Sequence, residues 1–371
     1  MASPFGDLEG AVLGDSAAPE HYGDLAREQR ALAAGRAIVA LGDRSVVEVS
    51  GPERLSWLDS ITSQAVSRLE AGTSTELLIL DPNGRVEHAA SVFDDGVTAW
   101  LIVDIGDAAG LTAWLKRMVF RSQVTVTARD DLAVVGFEAG AEAEELVAAH
   151  AWAPQGVAVM WRDPWTHVTA GGHQYAATDA HPGAERPWVE AIVDEAGLTA
   201  LAGAAGSEAI VAAGMLAAEA RRVEAWRPRW ARELDERSIP HELDWLRSAV
   251  HLNKGCYRGQ ETVAKVHNLG HPPRRLVFLH LDGALVTPGA AVRLGTADES
   301  ADPIGVVTSA AFHHELGPIA LAVIKRSADP EAALQVQTDE GWLAAAQEMI
   351  VPPSAGAAAS IPRLPRLSSR R

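Results

Sequence analysis

The stretch NKGCYRGQET, residues 253–262, contains the only cysteine of the 371-residue chain. Gly255 and Gly259 permit a sharp turn and a close approach of the backbone to a ligand. Cys256 and Tyr257 are therefore predicted to lie on a loop between these glycines. The single thiol stands at the tip of that predicted loop.

The neighbours of Cys256 leave two interpretations open. In the first, the loop is a simple turn and the cysteine packs as a small apolar group. In the second, the positive charges of Lys254 and Arg258 lower the pKa of the thiol and favour a reactive thiolate. Those charges favour the second interpretation without deciding between the two.

The composition limits the class of protein. The length predicts two or three domains, and 47% apolar residues allow a sizeable core. A formal net charge of −17 argues against broad nonspecific binding to nucleic acid or to an anionic membrane. No apolar run reaches the ~18 residues of a membrane span, and the N-terminus lacks the basic region of a signal peptide. One cysteine excludes an internal disulfide framework and indicates a cytoplasmic protein.

Helix and strand patterns alternate over the first two thirds of the chain, as in an α+β protein. Pro82-Asn83-Gly84 has the chemistry of a hairpin turn, because Asn and Gly tolerate positive φ. Ser207 is a candidate N-cap and predicts a long alanine-rich helix after it. Short β-rich runs over 274–350 predict a small barrel or sandwich. We expect residues 1–20 to be mobile and residues 351–371 to be disordered.

The motif K-G-C-Y-R-G-Q-E resembles the signature of the YgfZ family of folate-binding proteins, relatives of the glycine cleavage T-protein, an aminomethyltransferase. LDPNGRVEHAASV is similar to the family's central hairpin, and GVVTSAAFHHELGPIALAVIKR is similar to its C-terminal barrel. The resemblance implies an α+β fold class, with three domains in a ring of the T-protein/YgfZ type. It implies a first α+β folate-binding domain over 21–128, a second over 129–273 and a small β-barrel over 274–350. A central cleft would accept tetrahydrofolate.

One hairpin departs from the transferase pattern. In the T-protein, an aspartate of a G-G-x-x-D-D hairpin supports proton movement. This chain has Gly84-Arg85-Val86-Glu87-His88-Ala89 at that place, so His88 and Ala89 replace the paired aspartates. Glu87 lies one position before His88, so on a strand it points to the face opposite to that of His88. The resemblance therefore implies a transferase-like protein without the usual catalytic aspartate, which leaves open whether it is an enzyme.

The resemblance also implies folate-binding residues after the alanine-rich helix. Glu224 matches the acid that binds the pterin ring, because a carboxylate can accept two N–H groups. The alternative is an ion pair with Arg221. Arg222 would orient that carboxylate or meet the glutamate tail of the folate. Trp226, where the family has glycine, would stack on the pterin or pack in the core.

Within the signature, Cys256 is the predicted catalytic residue, as a redox-active or cluster-contacting thiolate. Lys254 would hold an anionic group of a folate tail or of a partner, or remain solvated. Tyr257 and Gln260 are expected in the folate site, and Gln260 would also brace the turn through backbone hydrogen bonds. No metal site is expected, because the spacing of the cysteine and its nearest histidines fits no zinc pattern: His251, His267 and His271.

The leading hypothesis is a YgfZ-type protein that binds tetrahydrofolate or a one-carbon derivative. It would act in iron–sulfur cluster assembly or repair, and indirectly in tRNA modification. Its partners would be folate and iron–sulfur proteins or cluster-assembly factors, without a membrane and without direct nucleic-acid binding. The alternative is a folate-dependent aminomethyltransferase or other one-carbon transferase. A noncatalytic adaptor is a third class, which a failure to bind any folate would favour.

Overall fold

The computed structural model describes residues 3–295 and 302–359. Over these residues the chain forms two five-stranded sheets with helices packed on them, followed by a closed six-stranded barrel. The strands are β1 (Val12–Leu13), β2 (Pro19–His21), β3 (Ala37–Ala40), β4 (Arg44–Ser50), β5 (Thr73–Leu80), β6 (Val86–Asp94), β7 (Thr98–Asp104), β8 (Thr125–Ala128), β9 (Ala133–Glu138), β10 (Met160–Arg162), β11 (Trp188–Val193), β12 (Val211–Ala212), β13 (Arg274–Leu281), β14 (Ala291–Leu294), β15 (Gly305–His313), β16 (Gly317–Lys325), β17 (Leu334–Thr338) and β18 (Gly341–Met349). The α-helices are α1 (Leu25–Ala33), α2 (Arg54–Ile61), α3 (Ile105–Met118), α4 (Ala141–Ala148), α5 (Glu195–Gly206), α6 (Met215–Glu224), α7 (Trp230–Glu233) and α8 (Gln260–Leu269).

The first sheet is antiparallel throughout, with the strand order β5-β6-β7-β4-β8. The predicted hairpin turn joins β5 to β6, and Gly84 has the positive φ of 77° that this turn requires. The carboxylate of Asp81 accepts the N–H of Asn83 at 2.7 Å and of Arg85 at 2.8 Å, which fixes the turn. Helices α2 and α3 bury apolar side chains against one face of this sheet, and the other face packs against the second sheet.

The second sheet has the strand order β10-β11-β9-β3-β12 and includes strand β3 from the N-terminal part of the chain. Strand β3 pairs with β9 antiparallel and with β12 parallel. The boundary predicted at residue 129 is therefore corrected, because a strand from the range 21–128 lies inside the second sheet. Phe5 is fully buried in the core of this unit with Phe137. The expected mobility is corrected for residues 3–20, since burial of Phe5 ties them to the sheet.

The long helix predicted after Ser207 does not form. Helix α5 ends at Gly206 with Ser207 as its C-cap, and α6 begins only at Met215. Between these helices Val211 pairs with Ala37 at the edge of the second sheet. The backbone hydrogen bonds of the sheet thus override the helix propensity of an alanine-rich segment.

The C-terminal barrel closes in the order β13-β16-β15-β14-β17-β18. Its strands run from Arg274 to Met349, and the small barrel predicted from the β-rich runs is present. A shared apolar cluster connects the units, with Leu78 from the first sheet, Trp245 from the segment before the signature and Phe278 from the barrel. The signature loop is therefore anchored where the units meet.

The segment after the barrel packs against it. Val351 is fully buried and Ala355 is 3% exposed. The expected disorder is therefore corrected for residues 351–359, and residues 360–371 lie outside the described part of the chain. Within the two described ranges, no helix combines the length and the apolar character needed to cross a bilayer.

Candidate functional site

The signature loop rests directly on the hairpin of the first sheet. Gly259 has a φ of 84°, and a Cβ atom there would lie 2.6 Å from the carbonyl oxygen of Asp81. It would also lie 3.1 Å from the Cα atom of Gly84. Only glycine fits this contact and this backbone conformation. Beside it, Arg258 forms an ion pair with Glu87 at 2.5 Å, which fastens the loop to β6.

Lys254 anchors the other end of the loop. Its Nζ donates to the carbonyl oxygens of Asp59 at 2.5 Å, Thr62 at 2.9 Å and Gln64 at 2.6 Å. Burial lowers the pKa of Lys254, and the nearby Asp59 carboxylate opposes that shift. An ammonium has three N–H donors, so none remains for a ligand. In this arrangement Lys254 holds the end of α2, in place of the folate contact expected from the sequence.

Cys256 is exposed on this braced loop. Tyr257 is buried beneath it, with Nζ of Lys254 5.4 Å from the centre of the ring, and Gln260 donates to the carbonyl oxygen of Lys254 at 3.2 Å. The interpretation of Cys256 as a buried apolar group is excluded. In residues 3–295 and 302–359, no three or more His, Cys, Asp or Glu side chains are grouped so as to hold a metal ion.

A cavity, here called the central hollow, lies between the two sheets. It encloses about 70 Å³ and adjoins a second cavity of about 230 Å³ that shares five of its residues. Both volumes are below the roughly 300–1,000 Å³ of ordinary ligand sites, so a folate requires wall side chains to move apart. The wall combines tryptophans with buried charges: Arg44, Glu76, Asp104, Trp161, Asp163, Arg186, Trp188, Glu190, Arg222, Arg227, Arg229, Trp230 and Trp245.

Three buried polar atoms of the hollow lack partners among the described residues: Oε1 of Glu76, Nη1 of Arg227 and Nε of Arg186. The other oxygen of Glu76 accepts from Arg227 at 2.7 Å and from Trp245 at 3.1 Å. Burial disfavours the charge of Arg227, but the carboxylates of Asp163 and Glu76 outweigh it and raise the pKa. Burial lowers the pKa of Arg186 to about 10. Each unsatisfied buried group costs about 1–3 kcal/mol, so a polar ligand would stabilise this wall.

The two faces of β6 serve different cavities, because side chains alternate along a strand. Ala89 lines the central hollow, whereas His88 lies on the opposite face. There Nδ1 of His88 is 2.5 Å from Oδ1 of Asp107. Of the two positions where the transferase hairpin has aspartates, the one that faces the hollow is position 89, which carries a methyl group and no proton acceptor.

Glu224 and Trp226 lie outside the wall of the hollow. Glu224 is hydrogen-bonded to Arg221, the alternative considered from the sequence, and its Oε2 is 3.3 Å from Nε2 of His313. Burial opposes its charge, but His313 and Arg221 outweigh that effect and lower the pKa of Glu224. Trp226 has a φ of 58°, which explains the glycine of the family pattern, and its ring packs 6.5 Å from that of Phe278.

Arg222 lines the hollow, but its donors are used within the protein. The guanidinium binds both oxygens of Glu219 at 2.7 and 2.8 Å and Oε2 of Glu233 at 3.0 Å. It also donates to Oγ of Ser309 at 2.5 Å. Arg222 therefore fastens α6 to the barrel strand β15.

Three residues of this region escaped prediction from the sequence. Glu76 carried a signal, since it is the only charged residue of the strand TSTELLIL, and a buried carboxylate in an apolar strand requires a partner. Arg227 carried a weaker one, because it directly follows the matched R-V-E-A-W stretch. Asp107 carried none, because its contact with His88 depends on how α3 packs against β6.

No family model matches the chain. The crystal structure of the glycine cleavage system aminomethyltransferase T from Bartonella henselae matches with a TM-score of 0.73 and 18% identity, over 93% of this chain and 94% of that chain. The chain has the aminomethyltransferase T fold. The expected α+β class and the architecture of two α+β units and a barrel are thereby confirmed.

Two relatives are themselves named aminomethyltransferases. The protein from Symbiobacterium thermophilum is 24% identical over 336 residues, which cover 86% of this chain and 84% of that protein. The protein from Methylococcus capsulatus is 30% identical over 122 residues, 32% of this chain and 34% of that protein. Together with the aminomethyltransferase T fold, these similarities support the T-protein family. They do not distinguish a YgfZ-type protein from a transferase.

Proposed function

We propose that the chain is a folate-binding protein of the YgfZ type that does not catalyse aminomethyl transfer. The observation that carries the proposal is Ala89 on the wall of the central hollow, at the place of the paired aspartates of the transferase hairpin. Without a carboxylate at position 89, a folate in the hollow lacks the aspartate that supports proton movement in the transferase. His88, the other substituted position, faces away from the hollow.

The unpartnered atoms of the hollow match the hydrogen-bonding groups of a pteridine ring. Oε1 of Glu76 would accept N–H groups of the pterin, a role that the resemblance assigned to Glu224. Nη1 of Arg227 would donate to a pterin oxygen or nitrogen. The adjoining cavity contains Arg44, Arg229 and Arg232. Arg44 and Arg229 pair with Asp43 and Asp104, so Arg232, which has no ion pair among the described residues, is the arginine that suits a carboxylate of the glutamate tail.

Cys256 would then act outside the folate site. Its exposure and the bracing of its loop by Lys254 support a thiol presented to a protein partner. We infer a transient contact with the iron of a cluster carried by that partner, since a single chain with one cysteine cannot hold a four-cysteine cluster. The role would be cytoplasmic cluster assembly or repair, with indirect effects on tRNA modification.

An active one-carbon transferase is the second candidate, and the names of the two relatives favour it. It requires a proton acceptor in the hollow other than the missing aspartate. An adaptor without any cofactor is the third class, which the unpartnered wall atoms disfavour.

Calorimetric titration of the purified protein with 5-formyltetrahydrofolate tests the proposal, with tetrahydrofolate as a second titrant under anaerobic conditions. We expect saturable binding of one folate per chain and no methylenetetrahydrofolate when an aminomethyl donor is added. Absence of binding would establish the adaptor class. Production of methylenetetrahydrofolate would establish the transferase.

A further inference from the structure

A second cavity, here called the lateral groove, lies on the far side of β6 from the central hollow. It is bounded by the β5–β6 hairpin, by α3 and by residues 230–236, and encloses about 840 Å³. This volume lies within the range of sites that bind small organic molecules. Ala89 faces the hollow and His88 faces the groove, so the two cavities are distinct although Trp230 borders both.

The groove exists because α3 presents small residues to it. Gly106, Gly110 and Ala113 recur at helical spacing on one face of the helix. A Cβ atom on Gly110 would come no closer than 3.5 Å to His88, and one on Gly106 no closer than 3.9 Å to Trp230. At these three positions α3 therefore places no bulky side chain between the hairpin and residues 230–236.

A histidine–aspartate pair forms part of its wall. Nδ1 of His88 lies 2.5 Å from Oδ1 of Asp107, which is 2% exposed, and Oδ2 of Asp107 has no partner among the described residues. The second ring nitrogen of His88, Nε2, likewise forms no hydrogen bond within the described ranges. In the neutral imidazole, a carboxylate on Nδ1 fixes the tautomer that leaves the lone pair of Nε2 free, so neutral His88 presents an acceptor.

Two arginines on the rim of the groove are available to an anion. Arg85 and Arg117 are exposed on its rim and have no ion-pair partner among the described residues. Of the acids that line the groove, Glu87 binds Arg258 and Asp235 binds Arg274. Asp81 accepts two N–H groups of its own turn, and Glu236 is exposed with no ion-pair partner among the described residues. Arg85 and Arg117 are therefore the two cationic side chains of the groove that can pair with an anion.

Two tryptophans complete the site. Trp114 and Trp230 line the groove, and Trp230 is held by a hydrogen bond from Nε1 to the carbonyl oxygen of Glu87 at 3.0 Å. Indole rings bind planar heteroaromatic rings through their faces. Trp114 also packs 6.3 Å from the ring of His88, so aromatic surface and acceptor lie side by side.

We propose that the lateral groove binds a small organic anion that carries a planar heteroaromatic ring. The ring packs against Trp114 or Trp230, a ring N–H or an amino group on the ring donates to Nε2 of His88, and a phosphate or carboxylate group pairs with Arg85 and Arg117. Asp107 is a positioning residue that holds the imidazole. This site goes beyond folate binding in the central hollow and does not depend on it.

Ligand-observed NMR and calorimetry with three probes test the site: adenosine monophosphate, indole-3-acetate and uncharged adenosine. Adenosine monophosphate represents the phosphate arm and indole-3-acetate the carboxylate arm. We expect binding of at least one anion and at least tenfold weaker binding of adenosine. Ala113→Trp should abolish anion binding by filling the groove, and Arg117→Glu should weaken it at least tenfold.

Arg68→Glu is the matched control, because Arg68 is equally exposed but lies away from the groove. It should bind the probes like the wild type, and His88→Phe should weaken them while keeping the ring. Ala113→Trp should retain 5-formyltetrahydrofolate binding, which separates this site from the proposed function. The proposal is overturned if neither anion binds at millimolar concentration, or if folded Ala113→Trp and Arg117→Glu proteins bind them as the wild type does.

Discussion

Gly84 and Gly259 meet at the junction between the hairpin and the signature loop, where a Cβ atom on Gly259 would lie 3.1 Å from the Cα atom of Gly84. The two turns nest only because both residues lack side chains. The position of Cys256 is therefore set by the first sheet as much as by its own loop. The signature motif docks its loop onto the hairpin and leaves the side chain of Cys256 exposed.

Replacement of Gly259 by alanine should lower the free energy of unfolding by about 2 kcal/mol or more. A left-handed conformation costs a non-glycine residue about 1–2 kcal/mol, and the clash with Asp81 adds to it. Gly255→Ala is the matched control in the same loop, since a Cβ there meets nothing within 4 Å. Urea unfolding measures both, and equal stabilities of the two variants would contradict the nested contact.

Lys254→Met should destabilise the protein by about 1–3 kcal/mol, because three carbonyl oxygens at the end of α2 lose their common donor. Lys265→Met, at an exposed position of α8, should stay within about 0.5 kcal/mol of the wild type. Folate affinity of the folded Lys254→Met protein should be unchanged. A large loss of folate affinity with little loss of stability would support the folate contact of Lys254 that was expected from the sequence.

Glu76→Gln should weaken 5-formyltetrahydrofolate binding at least tenfold, about 1.4 kcal/mol, because the unpartnered Oε1 becomes part of an amide. Glu224→Gln should change the affinity less than threefold, since Glu224 is engaged with Arg221 and His313 outside the hollow. Calorimetry on both variants decides between the geometric assignment and the one implied by the resemblance. The reverse ranking would return the pterin contact to Glu224.

Cys256→Ser should leave stability and folate binding unchanged, because the side chain is exposed and borders neither cavity. In the native wild type, one thiol per chain should react with a disulfide reagent at a rate close to that of the unfolded chain. In cells that lack the native protein, the variant should fail to restore the activity of iron–sulfur enzymes. Full restoration would remove the thiol from the proposed function.

The stability of the Asp244→Asn variant should depend on pH differently from that of the wild type. Burial raises the pKa of Asp244 to about 7, against the opposing effect of backbone N–H groups. Between roughly pH 3.9, the ordinary value, and pH 7, the unfolded carboxyl is ionised while the folded one keeps its proton, so this group lowers stability as pH rises. Asparagine cannot ionise, and it tolerates the φ of 55° at this position.

Urea midpoints of Asp244→Asn and the wild type should therefore move apart, in favour of the variant, as the pH rises from 4 to 7. Above pH 7 the difference should stay constant. Asp7→Asn, at an exposed position, is the control and should follow the wild type throughout. A constant difference across the whole range would mean that Asp244 is ionised in the folded protein.

Local chemistry in the sequence predicted several features well. The Pro82-Asn83-Gly84 turn and the β-rich runs of the barrel depend on residues close together in the chain, and both formed as expected. The long helix predicted after Ser207 did not form, because Val211 pairs with Ala37 at the edge of the second sheet. Arg227 and Asp107 escaped because ion pairs across 64 and 151 positions, and a histidine contact across 19, arise only from packing.

The early position of strand β3 in the sequence affects how the second sheet folds and where the chain can be cut. It leaves the ribosome long before β9, yet it fills an inner place in the second sheet. The second unit must stay incomplete until β9 is synthesised, and such nonlocal pairing slows folding. A fragment cut at residue 129 would expose a bare β9 edge open to association with other chains, so any excised second unit has to bring residues 3–41 with it.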